Sequence, residues 1–200
     1  MIEYIKGNLV ELTPATATIE TSGGVAYLLN ISLNTFSVLE SKAIDTVRLY
    51  VHETIREDAW TLYGFFNTEE RALFRALIGV SGVGAATTRV ILSSHTVPEL
   101  ETIIASGDIK TLKGVKGVGA KTAERIIVDL RDKIKPGDST LLSVGIPKAK
   151  ANQDVYDEAL VALVTLGFAQ TASRKALDKI FQADPNLKVE TAIKKALSML

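Results

Sequence analysis

One stretch of this chain is written twice. Residues 77–92 read LIGVSGVGAATTRVIL, and residues 112–127 read LKGVKGVGAKTAERII. Leu77 falls on Leu112, Gly82 on Gly117, Gly84 on Gly119, Thr87 on Thr122 and Ile91 on Ile126. Each copy is an apolar stub, a Gly-Val-Gly turn and a helix-like run. A helix N-terminus leaves its first backbone N–H groups unpaired and carries a partial positive charge. Glycines ahead of it allow positive φ and let an anion approach without a Cβ in the way. One Gly-x-Gly alone is no more than a tight turn. Two, each preceded by Leu-x-Gly-Val, imply a ligand whose anionic unit repeats.

Charge sharpens this reading. Lys110, Lys113, Lys116, Lys121 and Arg125 cluster around the second copy, whereas Ala86 stands in the first where Lys121 stands in the second. Arg89 is the nearest cation to the first copy in sequence. A helix packed ahead of each turn makes a helix-hairpin-helix element, which holds a sugar-phosphate backbone and not base edges. The candidate phosphate-binding residues are Gly82, Val83, Gly84 and Arg89 in the first element. In the second they are Lys116, Gly117, Val118, Gly119, Lys121, Thr122 and Arg125. The lysine-rich copy is expected to carry more of the salt-dependent affinity. A dinucleotide fingerprint needs a preceding strand and a third glycine, and a P-loop needs Gly-Lys-Ser/Thr; neither pattern is present. No cofactor is expected.

The formal net charge of zero hides an asymmetry. Residues 1–64 carry four Lys/Arg against eight Asp/Glu, and residues 65–135 carry eleven against eight. A polyanion is drawn to the middle of the chain and repelled from its start. There are no cysteines, which excludes disulfides and fits a cytoplasmic protein. The two histidines, His52 and His95, are far apart, and no metal site is expected. No apolar run reaches the roughly 18 residues of a membrane span.

Residues 1–65 read as five short strands. A turn lies at Ser22-Gly23-Gly24 and a short helix, LNTFSVLE, between the third and fourth strands. This pattern suits a small closed barrel of the OB type, with an open five-stranded sheet as the fallback. Residues 66–135 are helical and hold both Gly-Val-Gly turns. Asn67 or Thr68 caps the first helix, Pro98 opens another, and the run AKTAERIIVDLRDKI reads as the longest helix of the region. Residues 136–152, with two prolines and two glycines, read as a linker. Residues 153–200 return to helix in three short pieces, a minimal bundle suited to an adaptor role, with Leu166, Gly167 and Phe168 as an apolar contact point.

Between the fourth and fifth strands, Glu57 and Asp58 sit in a charged hairpin tip. A solvated turn is the plain reading. A catalytic carboxylate pair is the sharper one, but neighbouring strand residues face opposite ways and no third carboxylate stands out as a metal ligand.

Taken together, MIEYIKGNL at the start, REDAWTLYGF at 56–65, the two hairpins and EALVALVTLGF at 158–168 resemble the RuvA family over essentially the whole chain. The resemblance implies an N-terminal OB-fold barrel, a tandem helix-hairpin-helix domain, a flexible linker and a C-terminal three-helix, UBA-like bundle. It implies a non-catalytic subunit that binds Holliday, or four-way, DNA junctions in recombination and repair. It also implies a fourfold tetramer, sometimes doubled to an octamer, and partnership with the RuvB hexameric ATPase and the RuvC resolvase. Glu57 and Asp58 then become an acidic pin near the tetramer centre. Residues 153–200 become the motor-binding part, with Leu163, Leu166, Gly167 and Phe168 as candidate contacts. Two other readings stand beside this one: a helix-hairpin-helix repair protein without junction preference, and a metal-dependent junction nuclease using Glu57 and Asp58.

Overall fold

A computed structural model describes residues 1–42, 45–134, 153–184 and 187–200. The linker expected at 136–152 lies outside the described residues. The chain divides into two compact units, Met1–Val144 and Gly145–Leu200.

The first unit opens with the closed barrel. Strands β1 (Tyr4–Leu12), β2 (Thr16–Glu20), β3 (Ala26–Asn30), β4 (Thr46–Ile55) and β5 (Trp60–Phe65) run around it in the order β1-β2-β3-β5-β4. Helix α1 (Leu33–Lys42) follows β3, as the LNTFSVLE run implied. All pairings are antiparallel except β3 with β5. The register of β1 against β2 shifts between Leu9 and Glu11, the kind of irregularity that bends a strand so that it can serve two neighbours. Alternation sends Ile5, Ala17, Ile19, Leu29, Val47, Leu49, Val51 and Leu62 into the barrel core.

Among the described residues, five helices complete this unit: α2 (Thr68–Ile78), α3 (Ala85–Ser94), α4 (Val97–Ser106), α5 (Ile109–Lys113) and α6 (Ala120–Leu130). Asn67 caps α2, its Oδ1 accepting from the Glu70 N–H at 2.8 Å. Asp108 caps α5 in the same way through the Thr111 N–H at 3.0 Å. At α4 the Thr96 N–H donates to Glu99 at 2.7 Å, half of a capping box. Helix α6 is shorter than its periodicity suggests. It ends at Leu130 and is no longer than α2. The chain then turns, and the Ile134 N–H bonds back to the Leu130 carbonyl at 2.9 Å, placing Ile134 in the core.

Helix α2 fuses barrel and helices. On its apolar side, Phe74 is fully buried, and its ring lies 5.3 Å from His52, 5.1 Å from Tyr63 and 4.9 Å from Phe65. On its polar side, Glu70 and Arg71 are also buried, although first-turn charges ordinarily face water. Glu70 accepts from the hydroxyls of Ser32 and of Thr35, the latter at 2.7 Å, and Thr35 Oγ1 in turn accepts from the Phe66 N–H. Arg71 bonds the Glu3 carbonyl at 2.9 Å and the Glu3 carboxylate, and lies over the Tyr50 ring.

The second unit holds α7 (Gln153–Thr165), α8 (Gln170–Ala183) and α9 (Val189–Leu197). Its core is built from Ala159, Leu160, Leu163, Ala176, Leu177, Ile180, Ala192 and Ala196. Alanines at facing positions let three short helices approach closely enough to exclude water. The Tyr156 hydroxyl donates to Asp178 at 2.6 Å, and burial pushes its pKa up to about 12.

Burial raises the Glu70 carboxyl above its ordinary 4.5, with the Ser32 and Thr35 hydroxyls opposing the shift. The folded chain therefore holds this proton more tightly than the unfolded one. The resulting stabilisation is full below the ordinary value and is lost as pH rises through the folded one. Glu70→Gln should remove this downward slope from a denaturation midpoint followed against pH.

Candidate functional site

The two repeats fold to one geometry. Gly79 and Gly114 close α2 and α5 at φ −73° and −68°. Gly82 and Gly117 then take φ +87° and +88°, the left-handed region that glycine tolerates best. The Val83 N–H bonds the Val80 carbonyl and the Val118 N–H bonds the Val115 carbonyl, each at 3.0 Å. All four valines are buried. Val83 and Val118 thus offer neither a free side chain nor a free N–H to a ligand. They peg the loops into the core.

Gly84 and Gly119 make the more telling pair. They are the N-caps of α3 and α6, at φ −91° and −79° with extended ψ, where any residue fits. A Cβ built on either would meet nothing within 4 Å. Neither backbone strain nor crowding inside the chain calls for glycine here. Helix stability favours Ser, Asp or Asn at an N-cap, and no side chain caps either helix. Among the described residues, no side chain bonds the first-turn N–H groups of α3 and α6, which lie behind a position with no Cβ. This arrangement suits an anion arriving from outside.

The cations divide differently from their order in sequence. Arg89 does not attend the first loop. Its Nη1 donates to the Ala15 carbonyl and to Asn30 Oδ1, both at 3.1 Å, and so ties α3 to the barrel. Asn34 reinforces that seam by donating to the Leu92 and His95 carbonyls at 2.6 and 2.9 Å. The first loop is served instead by Arg125 of the second repeat. Its Nη1 lies 3.5 Å from the Ser81 carbonyl and 3.7 Å from where a Gly82 Cβ would stand. The repeat register could not reveal this, because Arg125 aligns with Val90. Lys110, Lys113, Lys116 and Lys121 are exposed, and none forms an ion pair among the described residues. Thr122 is half-buried in the first turn of α6.

Glu57 and Asp58 lie in the loop between β4 and β5, not on a strand, so strand alternation does not set their directions. The last paired residues are Ile55 and Trp60, and the Arg56 N–H bonds the Ala59 carbonyl at 2.8 Å. The whole tip is exposed. Among the described residues, no three His, Asp or Glu side chains form a group able to hold a metal. In the second unit Leu163 is fully buried, a core residue and not a surface contact. Gly167, at φ +97°, ends α7, with the Phe168 N–H bonding back to the Leu163 carbonyl at 3.1 Å. Phe168 packs on the core, and Leu166 stands 61% exposed.

A closed five-stranded barrel fused to two helix-hairpin-helix elements, each opening a helix without a side-chain cap, defines a tandem helix-hairpin-helix protein. Comparison with known proteins narrows this. The chain matches the RuvA N terminal domain over residues 1–64, the SAM-like helix-hairpin-helix tandem over 74–132 and the RuvA C-terminal domain over 154–200. It is 48% identical over 206 residues to a Holliday junction branch migration complex subunit RuvA from Bacteroides fragilis, covering the whole of both chains. It is 50% identical over 201 residues to the protein of the same name from Parabacteroides distasonis, again with full coverage of both. The chain belongs to the RuvA family. No helix among the described residues is long and apolar enough to cross a membrane.

The two glycines of one loop should respond oppositely to substitution. Gly117→Ser, forced to positive φ, should cost about 1–2 kcal/mol of stability. Gly119→Ser should leave stability unchanged or raise it by a few tenths of a kcal/mol, because serine is a better N-cap. Urea denaturation of the two variants measures both.

Proposed function

We propose that this chain binds Holliday junctions and serves as the junction-holding subunit of a branch-migration complex driven by the RuvB ATPase. The observation that carries the reading is the pair Gly84 and Gly119, two glycines that the fold itself does not require, each opening an uncapped helix N-terminus. A four-way junction offers a repeating phosphate on every arm. Each loop takes backbone phosphates through its N–H groups, with Lys116, Lys121 and Arg125 adding charge. Thr122 lies in the first turn of α6, beside those donors. Such contacts hold DNA without reading sequence.

Holding alone does not distinguish a junction from duplex. In this reading the tip of the β4–β5 hairpin does so. Glu57 and Asp58 repel phosphates from the place where strands cross and direct them into the arms, while the grips prevent escape. A fourfold tetramer, or an octamer of two, sets the tips around the crossover. The fusion of barrel and hairpins through Phe74, Arg71 and Arg89 supports this division, since a repelling tip must be held fixed relative to the grips. The working divisions are then residues 1–65 for the barrel and pin, 66–135 for the grips, 136–152 for a tether and 153–200 for the motor contact. The exposed Leu166, beside Gly167 and Phe168, is the apolar feature that favours the last assignment. The subunit is non-catalytic, acts in the cytoplasm and shares the junction with the RuvC resolvase.

Gel-shift titration of a four-way junction against linear duplex of equal length tests the reading, and equal affinities would overturn it. Glu57→Gln with Asp58→Asn should narrow the ratio between the two by strengthening duplex binding. Lys121→Ala or Arg125→Ala should each reduce the slope of log affinity against log salt by about 1 for every bound subunit. Arg89→Ala, whose guanidinium is committed to the barrel, should leave that slope unchanged.

A further inference from the structure

Strands β4 and β5 outrun the barrel they belong to. Along β4, Val47, Leu49 and Val51 alternate into the core, and Glu53 and Ile55 continue on the same face. On β5, Leu62 shares that face opposite Glu53, and Trp60 follows opposite Ile55. Glu53 is covered by the start of the chain. The Met1 amino group lies 3.3 Å from its Oε1, and the Ile2 N–H donates to the same oxygen at 3.2 Å. Ile55 and Trp60 have no such cover and stand 70% and 63% exposed. The apolar alternation thus runs past the end of the core and leaves an isoleucine and an indole side by side in solvent. The loop they support carries Glu57 and Asp58.

Exposed apolar side chains are common on this surface, but this pair is set apart by the two carboxylates of the tip it supports. Two side chains are far fewer than the roughly 800 Å² per partner that a stable protein interface uses. A single nucleobase is of the right size. Its face is flat and uncharged, and an aromatic side chain accepts any base without regard to sequence. The neighbouring carboxylates repel phosphate but not the face of a base, so the tip itself selects base over backbone. We infer that Trp60, backed by Ile55, stacks on a nucleobase at the crossover of a four-way junction. The inference rests on the junction-binding reading and adds an attractive contact to a tip otherwise described only by repulsion.

Trp60 is the only tryptophan in the chain, so intrinsic emission reports on this position alone. Full-length protein is titrated with a four-way junction and with linear duplex, and saturation is followed independently by gel shift. Saturating junction should quench the emission, whereas saturating duplex should not. Trp60→Ala should weaken junction binding by about tenfold, and Trp60→Phe, which keeps a stacking face, should restore most of it. Emission unchanged at proven saturation with junction would overturn the inference and leave the junction reading standing. An indole shielded from acrylamide in the assembled protein without DNA would show a second copy covering Trp60, and would also overturn it. Failure of the gel shift itself would remove the junction reading, and the inference with it.

Discussion

Two helix N-termini without a side-chain cap are the feature on which the proposed function of this structure depends. Each forgoes a few tenths of a kcal/mol that a serine would supply in place of glycine. In exchange, the first-turn donors of α3 and α6 remain free behind positions where a Cβ would meet only open space. The surrounding architecture keeps those donors in place. Val80, Val83, Val115 and Val118 peg the loops to the core, and Gly82 and Gly117 turn the chain between the pegs. The two sites share one backbone geometry but differ in cation supply. Arg125 ties them together, because it belongs to the second element and reaches the loop of the first.

A backbone grip is useful only if it is rigid with respect to whatever sorts one DNA shape from another. The barrel holds α2 by polar as well as apolar contacts and α3 by hydrogen bonds. Phe74 fills the apolar seam. Glu70, Arg71, Arg89 and Asn34 make buried or half-buried hydrogen bonds across the seam. Polar seams specify orientation more narrowly than apolar ones, since an unmatched buried donor or acceptor costs about 1–3 kcal/mol. In the proposed reading the barrel, acidic overall and unsuited to tracking a polyanion, serves as a mount for the β4–β5 hairpin.

Much of this was legible in the sequence, for definite reasons. Strand alternation gave the barrel, because one face of each strand is buried. The repeat gave both hairpins, because glycine spacing is a backbone requirement that survives without side-chain context. What escaped was the use of charged side chains. Arg89 sits on a helix after a Gly-Val-Gly turn and looks like a phosphate ligand; only the packed barrel shows that its guanidinium is already spent. Glu70 and Arg71 look like solvated first-turn charges and prove buried. Leu163 lies on the same helical stripe as Leu166, but α7 ends between them, so one is core and the other surface. The exposure of Ile55 and Trp60 escaped as well, since alternation alone cannot tell where a strand leaves its barrel.

The central claim is that the two loops take DNA phosphates through backbone N–H groups. Backbone amide resonances of residues 84–87 and 119–122, followed through a titration with four-way junction, test this most directly. The account predicts marked downfield movement of first-turn amides in both loops, the same for junctions of unrelated sequence. Amides that stay in place while the junction binds, or that move for some sequences and not others, would contradict it.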